Sequence, residues 1–183
     1  MSLTIKNNRS SIHLLWVGFV GIVMFFAGLT SAYIVRKAEG NWLEFTIPDW
    51  FTVSTIVMVI SSIVLYFATS AVKSDKSPIV FILGTLALGV VFSFFQLMGW
   101  SELVNQGVYL TGEGSNPSGS FLYVITLAHL IHLLGGLVAL LISLFSAYQG
   151  KYTKENFIGL EVTSRYWHFL GILWLYLFFF LIF

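Results

Sequence analysis

The sequence contains no cysteine among its 183 residues. It can therefore form no disulfide, no thiolate zinc or iron–sulfur site, no covalently attached c-type haem and no cysteine-bridged copper centre. Charged residues make up only 9% of the chain, whereas soluble domains contain about a quarter. Because 57% of the residues are hydrophobic, too few polar side chains remain to cover a soluble globule. The formal net charge of +1 gives no indication of a nucleic-acid partner. Together these shortages predict an integral membrane protein.

Five apolar runs, each about 18 to 28 residues long, are sufficient to cross roughly 30 Å of hydrocarbon. Their length and their lack of sustained period-two alternation argue against transmembrane strands. The predicted spans are approximately 12–35, 50–72, 79–104, 121–148 and 159–183. We therefore expect an all-α polytopic membrane protein in which residues 1–183 form a single transmembrane domain, a bundle of five transmembrane helices.

The distribution of Lys and Arg predicts the orientation of these spans. Seven of the nine lie before the first span, in the second and fourth connections, or at the start of the fifth span. The other two, Arg36 and Lys37, lie in the first connection. Since positively charged connections stay on the cytoplasmic side, the N-terminus is expected in the cytoplasm and the C-terminus at the outer face.

Polar side chains inside the third and fourth spans are the first candidates for a site. Gln96 lies several residues inside the outer boundary, where we expect its amide to hydrogen-bond to another helix. His129 and His132 share one face of the fourth span at mid-membrane depth. Two histidines three residues apart on one helix cannot supply both axial ligands of a haem, and no acidic or thiolate partner lies at that depth for a zinc or dinuclear site. We expect these histidines to be neutral and to pack against an ionisable stripe of the fifth span, formed by Glu161, Arg165 and His168. The second span, residues 50–72, contains no charged side chain and carries no predicted site.

The fifth span carries an ionisable stripe near its start. Glu161, Arg165 and His168 fall within about 60° of one another on a helix, so we expect the stripe to face partner helices and not lipid. The spacing of Glu161 and Arg165 favours an ion pair within the helix, and the guanidinium also suits a lipid phosphate. No catalytic or metal-binding residue is predicted. The predicted structural or lipid-binding polar face consists of Gln96, His129, His132, Glu161, Arg165, Trp167 and His168.

Two other classes of membrane protein remain open at this point. A b-type cytochrome membrane anchor would bind haem through two of the four histidines, which are His13, His129, His132 and His168. A small transporter should show broken helices or repeated halves around a midplane site, and the sequence indicates neither.

Four motifs resemble subunit III of the haem–copper terminal oxidases. MFFAGLTSAY occupies residues 24–33, and GSFLY, HLIH and GG lie within residues 119–136. GLE occupies residues 159–161, and RYWHF followed by WLYLF occupies residues 165–178. The motifs keep the order they have in that family, and five spans are similar to its shorter bacterial form. The sequence departs from the family pattern at two places, because residues 21–23 and the positions after RYWHF lack carboxylates that the family commonly has.

The resemblance implies an accessory subunit of a cytochrome c oxidase or quinol oxidase. In that family the haem and copper belong to partner subunits, and subunit I reduces oxygen while pumping protons. Subunit III itself is expected to have no redox cofactor, to bind structural phospholipid, and to support proton uptake and the integrity of the catalytic subunit. The implied partners are subunit I, the other oxidase subunits, phospholipid and, where one forms, a respiratory supercomplex. The implied location is the bacterial inner membrane, with the C-terminus periplasmic.

Overall fold

The computed structural model describes residues 2–183, with side-chain surroundings from residue 12 onward. Within residues 2–183 it contains five helices and no strand, which confirms the predicted all-α fold. All five helices are long and apolar enough to cross a membrane, as expected of a multi-pass membrane protein. The helices are α1 (Ser2–Ala38), α2 (Asp49–Lys73), α3 (Ile79–Asn105), α4 (Pro117–Tyr148) and α5 (Ile158–Ile182).

Proline residues mark the starts of three helices. Pro48 and Pro78 immediately precede α2 and α3, and Pro117 is the first residue of α4. A proline fits these places because the first helical N–H groups have no partner within the helix. Asn116 caps α4, where its side chain accepts a hydrogen bond from the backbone N–H of Ser118.

Helices α2 to α5 form a closed ring. Each packs against the next in chain order, and α5 packs back against α2. Helix α1 lies outside this ring, against α4 and α5. In the described part of the chain, α1 makes no helix–helix contact with α2 or α3. The fold is therefore a four-helix bundle with one peripheral helix.

The indole of Trp167 fills the centre of the ring. It is fully buried, and it lies against Gly89 of α3 and Gly136 of α4 while its N–H reaches Ser61 of α2. A Cβ added at Gly89 would meet Trp167 Cη2 at 2.6 Å, and one at Gly136 would meet Trp167 Cε3 at 3.1 Å. The two glycines thus create the space that the largest core side chain occupies.

Helix α1 presents small residues to the outside of the chain. The common face of Gly21, Gly28 and Ala32 predicts close packing with a neighbouring helix. The structure leaves that face uncovered, because a Cβ added at Gly21 or Gly28 would have no atom within 4 Å and Ala32 is exposed. Instead α1 packs through Phe19, whose ring stacks on Phe169 with centroids 4.1 Å apart, and through the buried Phe26.

The connections of the bundle meet at its two ends. At the end where α1 begins, which is the predicted inner end, Lys154 Nζ and Asp75 Oδ2 are 4.0 Å apart and join the α4–α5 and α2–α3 connections. At the opposite end, the predicted outer end, Asn116 accepts from the N–H of Leu43 and donates to the carbonyl of Asn41. These contacts fasten the first connection to the start of α4.

Candidate functional site

A side-chain hydrogen bond joins each pair of neighbouring helices in the four-helix ring. We call the boundary between two such helices a seam. The α2–α3 seam has Gln96 and Ser54, the α3–α4 seam Trp100 and Thr126, the α4–α5 seam Ser143 and Thr163, and the α2–α5 seam two tryptophans with their hydroxyl partners. Donor–acceptor distances at these seams range from 2.8 Å for Gln96 to 3.0 Å for Trp100. Hydrogen bonds of this kind hold transmembrane helices together, because lipid supplies no competing partner.

Tryptophan supplies three of these bonds. Trp167 Nε1–H donates to Ser61 Oγ over 3.0 Å, and Trp174 Nε1–H donates to Thr55 Oγ1 over 2.9 Å. Trp100 Nε1–H donates to Thr126 on α4. An indole combines a large apolar surface with a single N–H that needs an acceptor when buried. Each ring therefore packs in or against the core and bonds to a neighbouring helix at the same time.

The hydroxyl acceptors are themselves satisfied by their own helices. Ser61 Oγ–H donates to the carbonyl of Met58 over 2.8 Å, and Thr55 Oγ1–H donates to the carbonyl of Phe51 over 2.7 Å. A hydroxyl has one donor and two acceptor lone pairs, so it can bind its own backbone and still accept from an indole. Burial of these serine and threonine side chains therefore leaves no unpaired hydroxyl hydrogen.

His129 lies in an aromatic enclosure in the core. Its ring is fully buried, with centroids 5.0 Å from Trp174, 6.1 Å from Phe92 and 6.5 Å from Phe26. In the described part of the chain neither of its ring nitrogens has a hydrogen-bond partner. A charged imidazolium would be strongly disfavoured in such surroundings, so the ring is neutral.

His132 faces the peripheral helix. Its Nδ1 lies 2.7 Å from the carbonyl oxygen of Ala128, so Nδ1 carries the proton and donates, because a carbonyl oxygen only accepts. Its ring lies 5.6 Å from that of Phe26 on α1. The backbone carbonyl of His132 accepts a hydrogen bond from the Tyr166 hydroxyl over 3.0 Å. This residue therefore contributes to the contacts among α1, α4 and α5.

The ionisable stripe of α5 lies on the outside of this chain. Arg165 Nη2 and Glu161 Oε1 form the expected intrahelical ion pair at 2.6 Å, with their side chains 43% and 34% exposed. His168 is half-buried. Among the described residues, no hydrogen bond or ion pair connects these three to Gln96, His129 or His132. The expectation that the stripe packs inward against the two histidines is therefore not met within the chain, because the interior face of α5 is occupied by tryptophan, leucine and small residues.

The contacts of these side chains are structural ones. Across the described residues, no three His, Asp or Glu side chains come close enough to share a metal ion. Gln96, His129 and Trp167 are core residues, His132 lies at the edge of the core, and Glu161, Arg165 and His168 lie at the surface of α5. The predicted polar face is thus divided into a buried part that joins helices and an outer part open to lipid or another subunit.

Comparison with known proteins decides which family has this architecture. The family model described as cytochrome c oxidase subunit III matches residues 43–183. The chain is 34% identical over 170 residues to the probable cytochrome c oxidase subunit 3 of Nocardia farcinica, covering 85% of this chain and 79% of that protein. The chain belongs to the cytochrome c oxidase subunit III family.

Two further relatives agree with this membership. The cytochrome c oxidase subunit 3 of Corynebacterium diphtheriae is 30% identical over 171 residues, and that of Synechocystis is 29% identical over 176 residues. These matches cover 85% and 86% of this chain and 79% and 72% of the two relatives. The resemblance found in the motifs is confirmed, and the alternative of a b-type cytochrome anchor is not supported.

The sequence reasoning missed the residues of α2. That helix contains no charged side chain between Asp49 and Lys73 at its two ends, yet Ser54, Thr55 and Ser61 accept bonds from α3 and α5. A signal was present, because Ser54 and Ser61 are seven residues apart and so share a helix face. Trp174 was also missed, although it lies seven residues after Trp167 and repeats its role one level further along the bundle.

Proposed function

We propose that this chain is the accessory, non-catalytic subunit III of a proton-pumping haem–copper terminal oxidase. In this role it braces the catalytic subunit I, contacts the other oxidase subunits and sustains proton uptake, while haem and copper are held by its partners. The proposal rests on one observation: buried polar side chains form hydrogen bonds between helices at every seam of the ring. Such a bundle is suited to being a rigid support for a neighbouring subunit.

The proposed location is a bacterial inner membrane with the N-terminus in the cytoplasm. Four lysines lie at the inner end of the bundle, namely Lys73, Lys76, Lys151 and Lys154. At the outer end, the first connection begins after Arg36 and Lys37, and Arg36 pairs with Glu39 at 3.4 Å. The larger number of lysine and arginine residues at the inner end supports this orientation.

Phospholipid is proposed to bind at the inner ends of α4 and α5. A groove of about 490 Å³ lies there, with apolar walls that include Ile142, Ile158 and Val162. Lys151 and Asn156 lie at its polar rim. Acyl chains match the apolar walls, and an ammonium at the inner boundary matches a lipid phosphate.

Arg165 is proposed as a second contact for lipid phosphate. It already binds Glu161, but a guanidinium has five N–H donors and its side chain is 43% exposed. We expect Arg165→Ala to lower the amount of bound lipid or loosen the subunit, without abolishing oxygen reduction. The measurement combines native mass spectrometry of the purified complex with its turnover before inactivation. Unchanged lipid content, assembly and turnover would remove this role from Arg165.

The decisive experiment identifies what accompanies the chain. The affinity-tagged chain is purified in mild detergent from the membranes of its own organism, and its companions are identified by mass and by absorption spectrum. A large subunit that contains haem and copper is expected at equal stoichiometry. Recovery of the chain alone, or with haem bound only by its own histidines, would overturn the proposal.

The same preparation tests the supporting role and the electron donor. An oxidase from which this chain has been removed should still reduce oxygen, but it should inactivate after fewer turnovers and take up protons more slowly. Adding the purified chain back should restore both properties. Assays with reduced cytochrome c and with quinol separate a cytochrome c oxidase from a quinol oxidase, and the same material shows whether a larger supercomplex is present.

A further inference from the structure

Three polar atoms in the core have no hydrogen-bond partner among the described residues. They are Gln96 Oε1 and the two ring nitrogens of His129. The side chains are 1% and 0% exposed, so bulk water does not reach them. An unpaired buried polar atom is destabilising, and such atoms in native proteins commonly bind an ordered internal water.

The helical register places Gln96 of α3 and His129 of α4 at neighbouring levels of the bundle. Phe92 of α3 contacts the His129 ring, and Gln96 follows Phe92 by one turn on the same face of α3. One turn further, Trp100 bonds to Thr126, which precedes His129 by three residues on α4. Because α3 and α4 run in opposite directions, Gln96 lies between these two contacts. Its Nε2 donates to Ser54 of α2 over 2.8 Å, and Oε1 takes no part in that bond and is left as an acceptor.

The two nitrogens of a neutral imidazole need different partners, because one is a donor and the other an acceptor. Phe92 and Phe26 meet the His129 ring at steep angles of 69° and 64°, an arrangement in which an N–H can point at an aromatic face. The remaining nitrogen is an acceptor, as is Gln96 Oε1. Both atoms are hydrogen-bond acceptors that lack a donor. A ligand with two hydrogen-bond donors would satisfy both of them.

We propose that a water molecule bound in the core donates one hydrogen bond to Gln96 Oε1 and the other to the unprotonated ring nitrogen of His129. Water is the smallest ligand with two O–H donors, and it requires no charge in these apolar surroundings. The bound water links α3 to α4 at a level between Phe92 and Trp100. His129 is thereby a positioning residue of the bundle that acts through a ligand and not through direct contact with another polar side chain.

The direct test is a cryo-electron microscopy map of the purified wild-type protein in its native assembly, at a resolution that shows other ordered waters. Density is expected at about 2.7–3.2 Å from both Gln96 Oε1 and one ring nitrogen of His129. Two results would overturn the proposal. One is a map that shows neighbouring internal waters and none here, and the other is a protein group bonded directly to these acceptors.

A double-mutant cycle tests the link by stability. The variants are Gln96→Met, His129→Phe and their combination, and the control pair combines Gln96→Met with His132→Phe. Each single variant should lower the unfolding temperature, and the test pair should lose no more than its worse single variant, because either change already releases the water. The losses of the control pair should add, because His132 bonds to its own helix.

Additive losses in the test pair would overturn the shared water. A His129→Phe protein with a raised unfolding temperature would do the same, since it would show that the imidazole had no partner to lose. These outcomes are independent of which assembly the chain is purified in. A negative result here therefore leaves the subunit III role unaffected.

Discussion

Replacement of Gly89 by alanine tests the position of Trp167 at the centre of the ring. The added Cβ would lie 2.6 Å from Trp167 Cη2 and 2.8 Å from Leu137 Cδ2, closer than real Cβ contacts allow. The indole cannot move freely, because Gly136 lies on its other side and its N–H is bound to Ser61. We therefore expect Gly89→Ala to destabilise the bundle.

The magnitude follows from two opposing terms. Overpacking a well-fitted core costs about 1–3 kcal/mol. Alanine in place of glycine favours a helix interior by about 1 kcal/mol. The matched control is Gly21→Ala on α1, where the added Cβ would have no atom within 4 Å. Because both variants share the propensity term, the difference between them isolates the overpacking, and we expect it to be about 1–3 kcal/mol.

The assay is reversible unfolding of the purified chain in mixed micelles with increasing sodium dodecyl sulfate, followed by far-ultraviolet circular dichroism. The midpoint and slope give the free energy of unfolding for each variant. Gly89→Ala should have the lower value, and Gly21→Ala should match or exceed the original chain. If Gly89→Ala were as stable as Gly21→Ala, the close contact of Trp167 with α3 would be refuted.

Three further results are expected. Trp167→Phe removes the indole N–H, which should cost about 0.5–1.5 kcal/mol, and it also shrinks a fully buried ring, which adds the cost of a cavity. The same change should cost less in a Ser61→Ala background, because the partner of the N–H is already absent. Asn116→Ala removes the α4 cap and should cost about 1–2 kcal/mol, with faster amide hydrogen exchange in the connection between α1 and α2. Lys151→Gln should reduce the phospholipid retained on the purified protein in native mass spectrometry, whereas the control Lys37→Gln at the outer end should not.

For each of these three predictions, a different result would contradict the contact on which the prediction depends. Equal costs for Trp167→Phe with and without Ser61 would show that the bond between them contributes nothing. Unchanged exchange in Asn116→Ala would show that this side chain does not fasten the connection. Equal lipid loss in both lysine variants would indicate a general effect of charge and no site in the groove.

Contacts between residues of one helix could be predicted from the sequence, but contacts of the candidate site with other helices could not. The four-residue spacing of Glu161 and Arg165 was enough to predict their ion pair, because helical geometry fixes neighbours of that kind. Whether that pair faces the core or the outside could not be predicted, because the sequence of one helix does not show which of its faces the other helices cover. Gln96 was expected to bond to another helix, but only the packed structure identified Ser54 as its partner.

The sequence by itself determined the membrane class, the five helices and the family. Long apolar runs and scarce charges leave no other solution, since every backbone group must be paired inside a bilayer. Only the tertiary structure decided that α1 stands outside a ring of α2 to α5 and that the ionisable stripe of α5 faces outward. It also decided that serine and threonine side chains inside α2 accept the N–H groups of Trp167 and Trp174. The physical reason is that helix periodicity fixes which residues share a face, whereas the partner of each face depends on how large and small side chains fit together across the bundle.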